Sequence, residues 1–394
     1  MTAVGTETEV RPAAPGEAEA SVRAEALDCL QANLAVLADR HHGPGTHLRL
    51  GARLHFRPTA ADATALPTVE PTPDAQLAAA EEALGLTVTE RRHAVPGREA
   101  AGTTTSLYVV ADAYHLPWVP YYGHKHVEHS FLVEAAGDDV TVVDAYHNDT
   151  QWGRARPLRH RLTRDRLAQV LADIPGGVDT VRLVPRALGP APEAVYVRPD
   201  EAVITEYLRA YAEHGDRVAA LERFTLETWL LARSRHLHAA YAAAQGPAGT
   251  LSPRVREHLE RWDGVVEHAY LAYRRVARGR AEPLGVLARA GEALRADGEV
   301  FGAGPAGAGP DPSPRAVVRA TVASVLNVAE HLLDEGELNR FPEFGSLRMV
   351  EIVERLEQLF GVEFAPEDLV PERLCRIDDL CSLVSSSPPA ATGR

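Results

Sequence analysis

Apolar positions first recur at helical spacing near the start of the chain. Ala26, Leu27, Leu30, Leu34 and Leu37 follow a 3.6-residue repeat and predict a helix over 24–38. Asp28 stands directly before Cys29, which places Cys29 in the first helical turn. Between about 48 and 186 the pattern shortens. Apolar runs begin at Leu107, Phe131, Val140 and Thr180, separated by Pro, Gly and Asp, and these predict strands. Gly137, Asp138 and Asp139 between two of the runs predict a hairpin turn. Helical spacing returns over 75–84 and 163–173, so this section reads as α+β. From Pro199 the chain turns almost wholly helical. Helices are expected over 200–213, over 216–245 with a break near the middle, from Ser252 and Pro253 onward, and over 283–296. A helical bundle packing on the first section and shaping a pocket is the expected role.

Residues 302–314 are nearly all Gly, Ala and Pro, which cannot form a core, and read as a linker. The expected divisions are a disordered segment 1–21, an α+β domain 22–195, a helical domain 196–301, the linker 302–314, a helical unit 315–385 and a disordered tail 386–394.

Composition narrows the function classes. At 394 residues, with 45% hydrophobic and 24% charged residues, the chain is long enough for two or three packed domains. A net charge of −14 argues against a nucleic-acid partner, which requires clustered Lys and Arg. Three cysteines, Cys29, Cys375 and Cys381, cannot build a disulfide framework and leave at least one free thiol. The acidic N-terminus lacks the apolar centre of a signal peptide, and no apolar run has membrane-spanning length, so a cytoplasmic protein with no membrane partner is expected.

The candidate chemistry is thiol chemistry. Cys29, His129 and Asp144 occur in that chain order, with His129 heading one strand-like run and Asp144 ending the next. A helix N-terminus and an imidazole both favour a thiolate, and a carboxylate orients the imidazole. Antiparallel pairing about the turn at 137–138 brings the two ends together. The plainer reading makes Cys29 a small buried hydrophobe and His129 and Asp144 strand-end residues. A rival uses His124, His126 and His129, which with Glu128 resemble the His-x-His-x-Asp-His zinc signature of metallo-β-lactamase-type hydrolases. That signature leads into a helix, whereas here a strand-like run follows. No metal ligands are otherwise expected.

The run Asp112-Ala-Tyr-His-Leu-Pro-Trp-Val-Pro-Tyr-Tyr, then His-x-x-His-Ser-Phe-Leu-Val, then Val-Val-Asp-Ala-Tyr resembles the N-terminal domain of the butirosin biosynthesis protein H family. The resemblance covers about 22–300 and is most specific over 107–150. It implies a papain-like cysteine-enzyme domain followed by a helical domain, with acyl transfer from a carrier-protein thioester to an amine. By that resemblance Cys29 is the nucleophile, His129 the base and Asp144 its orienter. Leu30 follows the cysteine where related thiol enzymes often carry a small residue. No Gln precedes Cys29 at papain-like distance, and Gln31 follows instead, so the second oxyanion donor stays unnamed.

Residues 315–385 resemble an acyl or peptidyl carrier protein, an all-α bundle. Ser346 stands where such carriers attach 4′-phosphopantetheine, at a helix start suited to phosphate. Glu351, Glu354 and Glu357 fit a docking face, and Leu347, Val350, Ile352, Val353, Leu356, Leu359 and Phe360 a core. Gly345 replaces the Asp that usually precedes the serine. Cys375 and Cys381 are expected in core packing.

The expected function is an acyltransferase of natural-product biosynthesis. It uses Cys29 and a phosphopantetheine thioester on Ser346 or on a separate carrier protein, with a small-molecule amine or hydroxyl acceptor. A phosphopantetheinyl transferase and an acyl-loading enzyme are the expected partners. A thioesterase or peptidase, a non-catalytic platform presenting the carrier, and the zinc hydrolase are the alternatives.

Overall fold

Asp28 starts the first helix by accepting hydrogen bonds from the Leu30 and Gln31 amides at 2.9 and 2.8 Å. Gln31 Oε1 accepts in return from the Asp28 amide, completing a capping box. Helix α1 is therefore Cys29–His42, with Cys29 its first residue, and residues 24–26 form a separate 3₁₀ turn. The computed structural model describes residues 20–60, 66–246 and 249–302, and residues 314–387 with gaps. Most of the linker 302–314 and of the two expected disordered ends lies outside the described residues.

Six strands build one antiparallel sheet: β1 (Leu86–Val95), β2 (Leu107–Asp112), β3 (Glu128–Ala136), β4 (Asp139–Asp144), β5 (Leu158–Thr163) and β6 (Val178–Pro185). Their spatial order is β5-β4-β3-β2-β6-β1. Gly137, at φ 68°, supplies the positive-φ position of the β3–β4 hairpin, where Ala136 pairs with Asp139. Alternate residues face two cores. Tyr108, Leu132 and Val143 pack with α1 and with α2 (Pro73–Leu84). Phe131, Val133 and Val142 pack with α3 (Arg164–Ala172). Strands β1 and β5 were not foreseen. They are the two edges of the sheet, and charges such as Arg91, Arg92, Arg159 and Arg161 mask their periodicity.

Helices α4 (Glu201–Glu213), α5 (Arg217–Gln245), α6 (Pro253–Val276) and α7 (Val286–Val300) enclose a third core around Trp262 and Phe224. Helix α5 runs unbroken through the expected break, and α7 starts and ends later than expected. Among the described residues, those from 20 to 302 form one compact unit that spans both expected portions, 22–195 and 196–301. Polar links explain this. Buried Glu227 on α5 accepts from Thr68 Oγ1 and from the Val69 amide, both at 2.7 Å, and Arg53–His55 pairs in parallel with Val195–Val197.

Inside the helical layer Asp297 binds Arg235, His258 and Trp262, all almost wholly buried. Burial alone would raise its carboxyl, but Arg235, His258 and Trp262 hold it below the ordinary carboxylate value. Its contribution to stability is therefore complete above the ordinary carboxylate range and drains as pH falls through the lowered value. Asp297→Ala leaves Arg235 buried and uncompensated, with an expected loss of roughly 3–5 kcal/mol. Chemical denaturation of the variant measures it.

The second unit spans 305–394. Its helices α8 (Pro314–Leu326), α9 (Ser346–Phe360) and α10 (Ile377–Ser386) surround Val318, Val322, Ile352, Leu356 and Leu380. Ile352, Val353 and Leu356 are buried as expected, with Phe360 packed against them. Val350 is a correction. It is 53% exposed, because its position on α9 turns away from the buried stripe. The Leu347 side chain lies outside the described residues. Cys381 packs against this core, while Cys375 precedes α10 and its carbonyl accepts from the Leu338 amide. Among the described residues no helix is long and apolar enough to cross a membrane.

Candidate active site

Three segments meet around Cys29. The thiol donates to the Glu128 carbonyl at 3.4 Å, the residue before His129. Next along β3, Ser130 Oγ donates to the Cys29 carbonyl at 2.7 Å. One turn along α1, buried Asn33 donates to the Ser130 carbonyl at 2.8 Å and accepts from the Ala145 amide at 3.0 Å. Asn33 thus ties α1 both to the strand that carries His129 and to the residue after Asp144. Tyr108 Oη fixes the same helical turn by donating to the Leu30 carbonyl at 3.0 Å.

His129 and Asp144 come together as the hairpin geometry requires. The β3–β4 ladder pairs Leu132 with Val143, so one step further Asp144 faces Phe131, and His129 lies two residues beyond on the same sheet face. His129 Nε2 is 2.7 Å from Asp144 Oδ2, and both side chains are buried. A carboxylate only accepts, so Nε2 carries a proton, and in the neutral ring Nδ1 is the nitrogen with the lone pair. That Nδ1 is buried and has no hydrogen-bond partner. Trp118 Nε1 also donates to Asp144 Oδ2, at 3.2 Å, and the Tyr146 amide donates to Oδ1 at 3.0 Å. The Tyr146 ring stands edge-on to the imidazole at 5.2 Å.

The sulfur therefore lies against the backbone of the strand that carries His129 and is not bonded to the His–Asp pair. Burial pushes the Cys29 thiol well above its ordinary value, and Asp28, Asp144 and Glu70 add to the rise. The sulfur's own backbone amide works in the other direction. The first-turn position on α1 also favours the thiolate. The negative groups and burial outweigh both, so the resting sulfur is a thiol.

Gln31 Oε1 is spent on the helix cap, where it accepts from the Asp28 amide. The cap also occupies the Leu30 and Gln31 amides, so of the opening amides of α1 it is Cys29's own N–H, directed at the sulfur, that lies outside the cap. The other two histidines of the zinc alternative go elsewhere. His124 stacks on Trp152 at 5.8 Å, and His126 Nδ1 pairs with Asp112 Oδ2 at 2.5 Å. The structure does not bring His124, His126 and His129 to one point, because each is held by a different partner.

Sequence reasoning missed Asn33, Trp118 and Arg233. Asn33 was findable as the polar residue four positions after Cys29, and Trp118 lies inside the motif itself. Arg233 on α5 carries no local signal. It donates to the Ala24 and Leu27 carbonyls just ahead of α1 and to the His147 carbonyl at 2.6 Å, and it stacks on Trp229 at 4.0 Å. The helical layer thereby holds both the start of α1 and the segment after Asp144.

In the second unit Ser346 is the first residue of α9. The first helical bond there runs from the Met349 amide to the Gly345 carbonyl, so the amides of the opening turn have no intrahelical partner and suit a phosphate. The expected acidic face is partly self-satisfied. Glu351 pairs with Arg348 and Arg355, and Glu357 accepts from the Phe364 amide, while Glu354 stays exposed.

The chain matches no protein-family model and no curated protein.

Proposed function

We propose that the protein is a cysteine acyltransferase fed by a carrier thioester, with a papain-like arrangement in the first unit and a carrier bundle in the second. The observation that supports this best is the His129–Asp144 pair, whose free, buried Nδ1 lies one residue from the carbonyl that holds the Cys29 thiol. When attached, phosphopantetheine supplies a flexible thiol that bears the acyl group as a thioester. Cys29 leaves the Glu128 carbonyl, gives its proton to His129 Nδ1 and attacks the thioester carbonyl. The carbon–sulfur bond to the donor breaks, and His129 returns the proton to the departing thiol. The acyl group now rests on Cys29. An amine or hydroxyl attacks it, His129 takes the acceptor's proton, and the proton passes to the Cys29 sulfur as that bond breaks. Asp144 stabilises the imidazolium at both stages. Thioester to amide is downhill, so orientation and a dry pocket are the main demands.

One observation favours a second reading, in which the first unit is a non-catalytic platform for the carrier. The resting thiol bonds to a carbonyl and is pushed up by burial and carboxylates. The two readings separate by mass. After incubation with a loaded carrier, an acyl adduct on Cys29 supports the transferase. An unmodified Cys29 with a modified Ser346 supports the platform.

Ser346 is tested by co-expression with a broad-specificity phosphopantetheinyl transferase, expecting a gain of one phosphopantetheine. Nothing lies within 4 Å of where a Gly345 side chain would start, and Gly345 does not need the left-handed region, so Gly345→Asp is tolerated. It is expected to speed modification of Ser346, read by intact mass over time. An unchanged rate removes Gly345 as the explanation for slow modification.

A further inference from the structure

Away from the thiol, Asp112, His115 and His126 each place one ligand atom within 4.8 Å of the others, and we infer that these three side chains form a binding site for a late divalent transition metal such as zinc. The inference does not depend on the acyltransferase reading. Asp112 ends β2, paired with Glu128 across the sheet. Its Oδ1 accepts from the Tyr114 amide at 3.0 Å, which leaves Oδ2 for the imidazoles. His126 Nδ1 reaches that oxygen at 2.5 Å and His115 Nε2 at 4.0 Å.

Ligand atoms on a tetrahedral ion with bonds of about 2.0–2.1 Å stand about 3.3 Å apart. The His126–Asp112 spacing must widen and the His115–Asp112 spacing shorten, each by less than an ångström, and the two imidazole nitrogens already lie within 4.8 Å of each other, so side-chain rotation can bring the three to one ion. The Ala113 amide bonds to the Val127 carbonyl at 2.9 Å and the Gly123 amide to the Tyr114 carbonyl at 2.9 Å, so the turn and the returning chain are already fixed together. The Tyr114 ring stacks on His126 at 4.2 Å and holds it beside Asp112. His126 is 69% exposed, so an ion has access and keeps water in a fourth position. Two imidazoles and one carboxylate suit zinc, nickel or copper rather than calcium or magnesium, which prefer all-oxygen shells. Bound there, the ion would pin both ends of the 113–127 loop to the end of β2.

The test titrates zinc chloride into chelator-treated full-length protein by calorimetry, alongside Cys29→Ser, His126→Ala and His115→Gln. One equivalent is expected in the wild type and in Cys29→Ser, with at least about a ten-fold weaker site in each histidine variant. Zinc should also raise the melting temperature of the wild type and not of His126→Ala. His126 is exposed, so its variant should melt like the wild type without metal. No stoichiometric binding, or equal binding by wild type and both histidine variants, overturns the proposal and leaves a hydrogen-bonded His–Asp pair. Loss of binding in Cys29→Ser alone would place the ion at the thiol and overturn it equally.

Discussion

Cys29→Ala is expected to abolish acyl transfer, with a fall on the order of 10⁴-fold or more in single-turnover rate and no acyl adduct on the first unit. The size follows from the role. The sulfur makes and breaks the bond to the acyl carbon, and no neighbouring side chain replaces it: Ser130 Oγ donates to the Cys29 carbonyl, and Asn33 is held at both ends. The fold should survive, because the sulfur's hydrogen bond to the chain is a long 3.4 Å contact to the Glu128 carbonyl and Asp28 still caps the helix. The checks are a rate assay with a loaded carrier and unchanged thermal unfolding. Full transfer by Cys29→Ala would sink the mechanism, because the acyl group would then move without passing through the thiol.

Much of this arrangement was legible in the sequence because it depends on local rules. Asp28 before Cys29 specifies a cap, and the turn at 137–138 between two apolar runs specifies a hairpin. Together these put a thiol at a helix start and a histidine beside an aspartate. The edge strands β1 and β5 were not legible, since most of their positions on both faces are exposed or half-buried and Arg fills several of them, so no apolar alternation marks them. Arg233 was not legible either. It lies more than 200 positions from the Ala24 and Leu27 carbonyls it holds, and only tertiary packing brings α5 to the start of α1. The state of the thiol was equally out of reach. A helix start predicts an activated sulfur, but Asp28, Asp144, Glu70 and burial together reverse the sign.

That reversal makes Asp144→Asn the most discriminating substitution. The carboxylate does two opposing things. It holds the Nε2 proton of His129, which leaves Nδ1 free to act as a base, and its charge disfavours a thiolate on Cys29. An amide at this position can offer its NH₂ to the ring and reverse the tautomer, and it no longer stabilises an imidazolium. Transfer is expected to fall by roughly 10²–10⁴-fold. Alkylation of Cys29 by a small neutral probe should change in the other direction. The wild-type thiol should react slowly at pH 7 and faster as pH rises toward its raised value. In Asp144→Asn one negative charge is gone, the thiol's value drops, and the rise should move to lower pH. Site-resolved mass spectrometry separates Cys29 from Cys375 and Cys381. Slower alkylation together with slower transfer would mean that sulfur and imidazole already share a proton in solution. The resting contact to the Glu128 carbonyl would then be a minor state, and the His–Asp pair would act on the thiol before any substrate arrives.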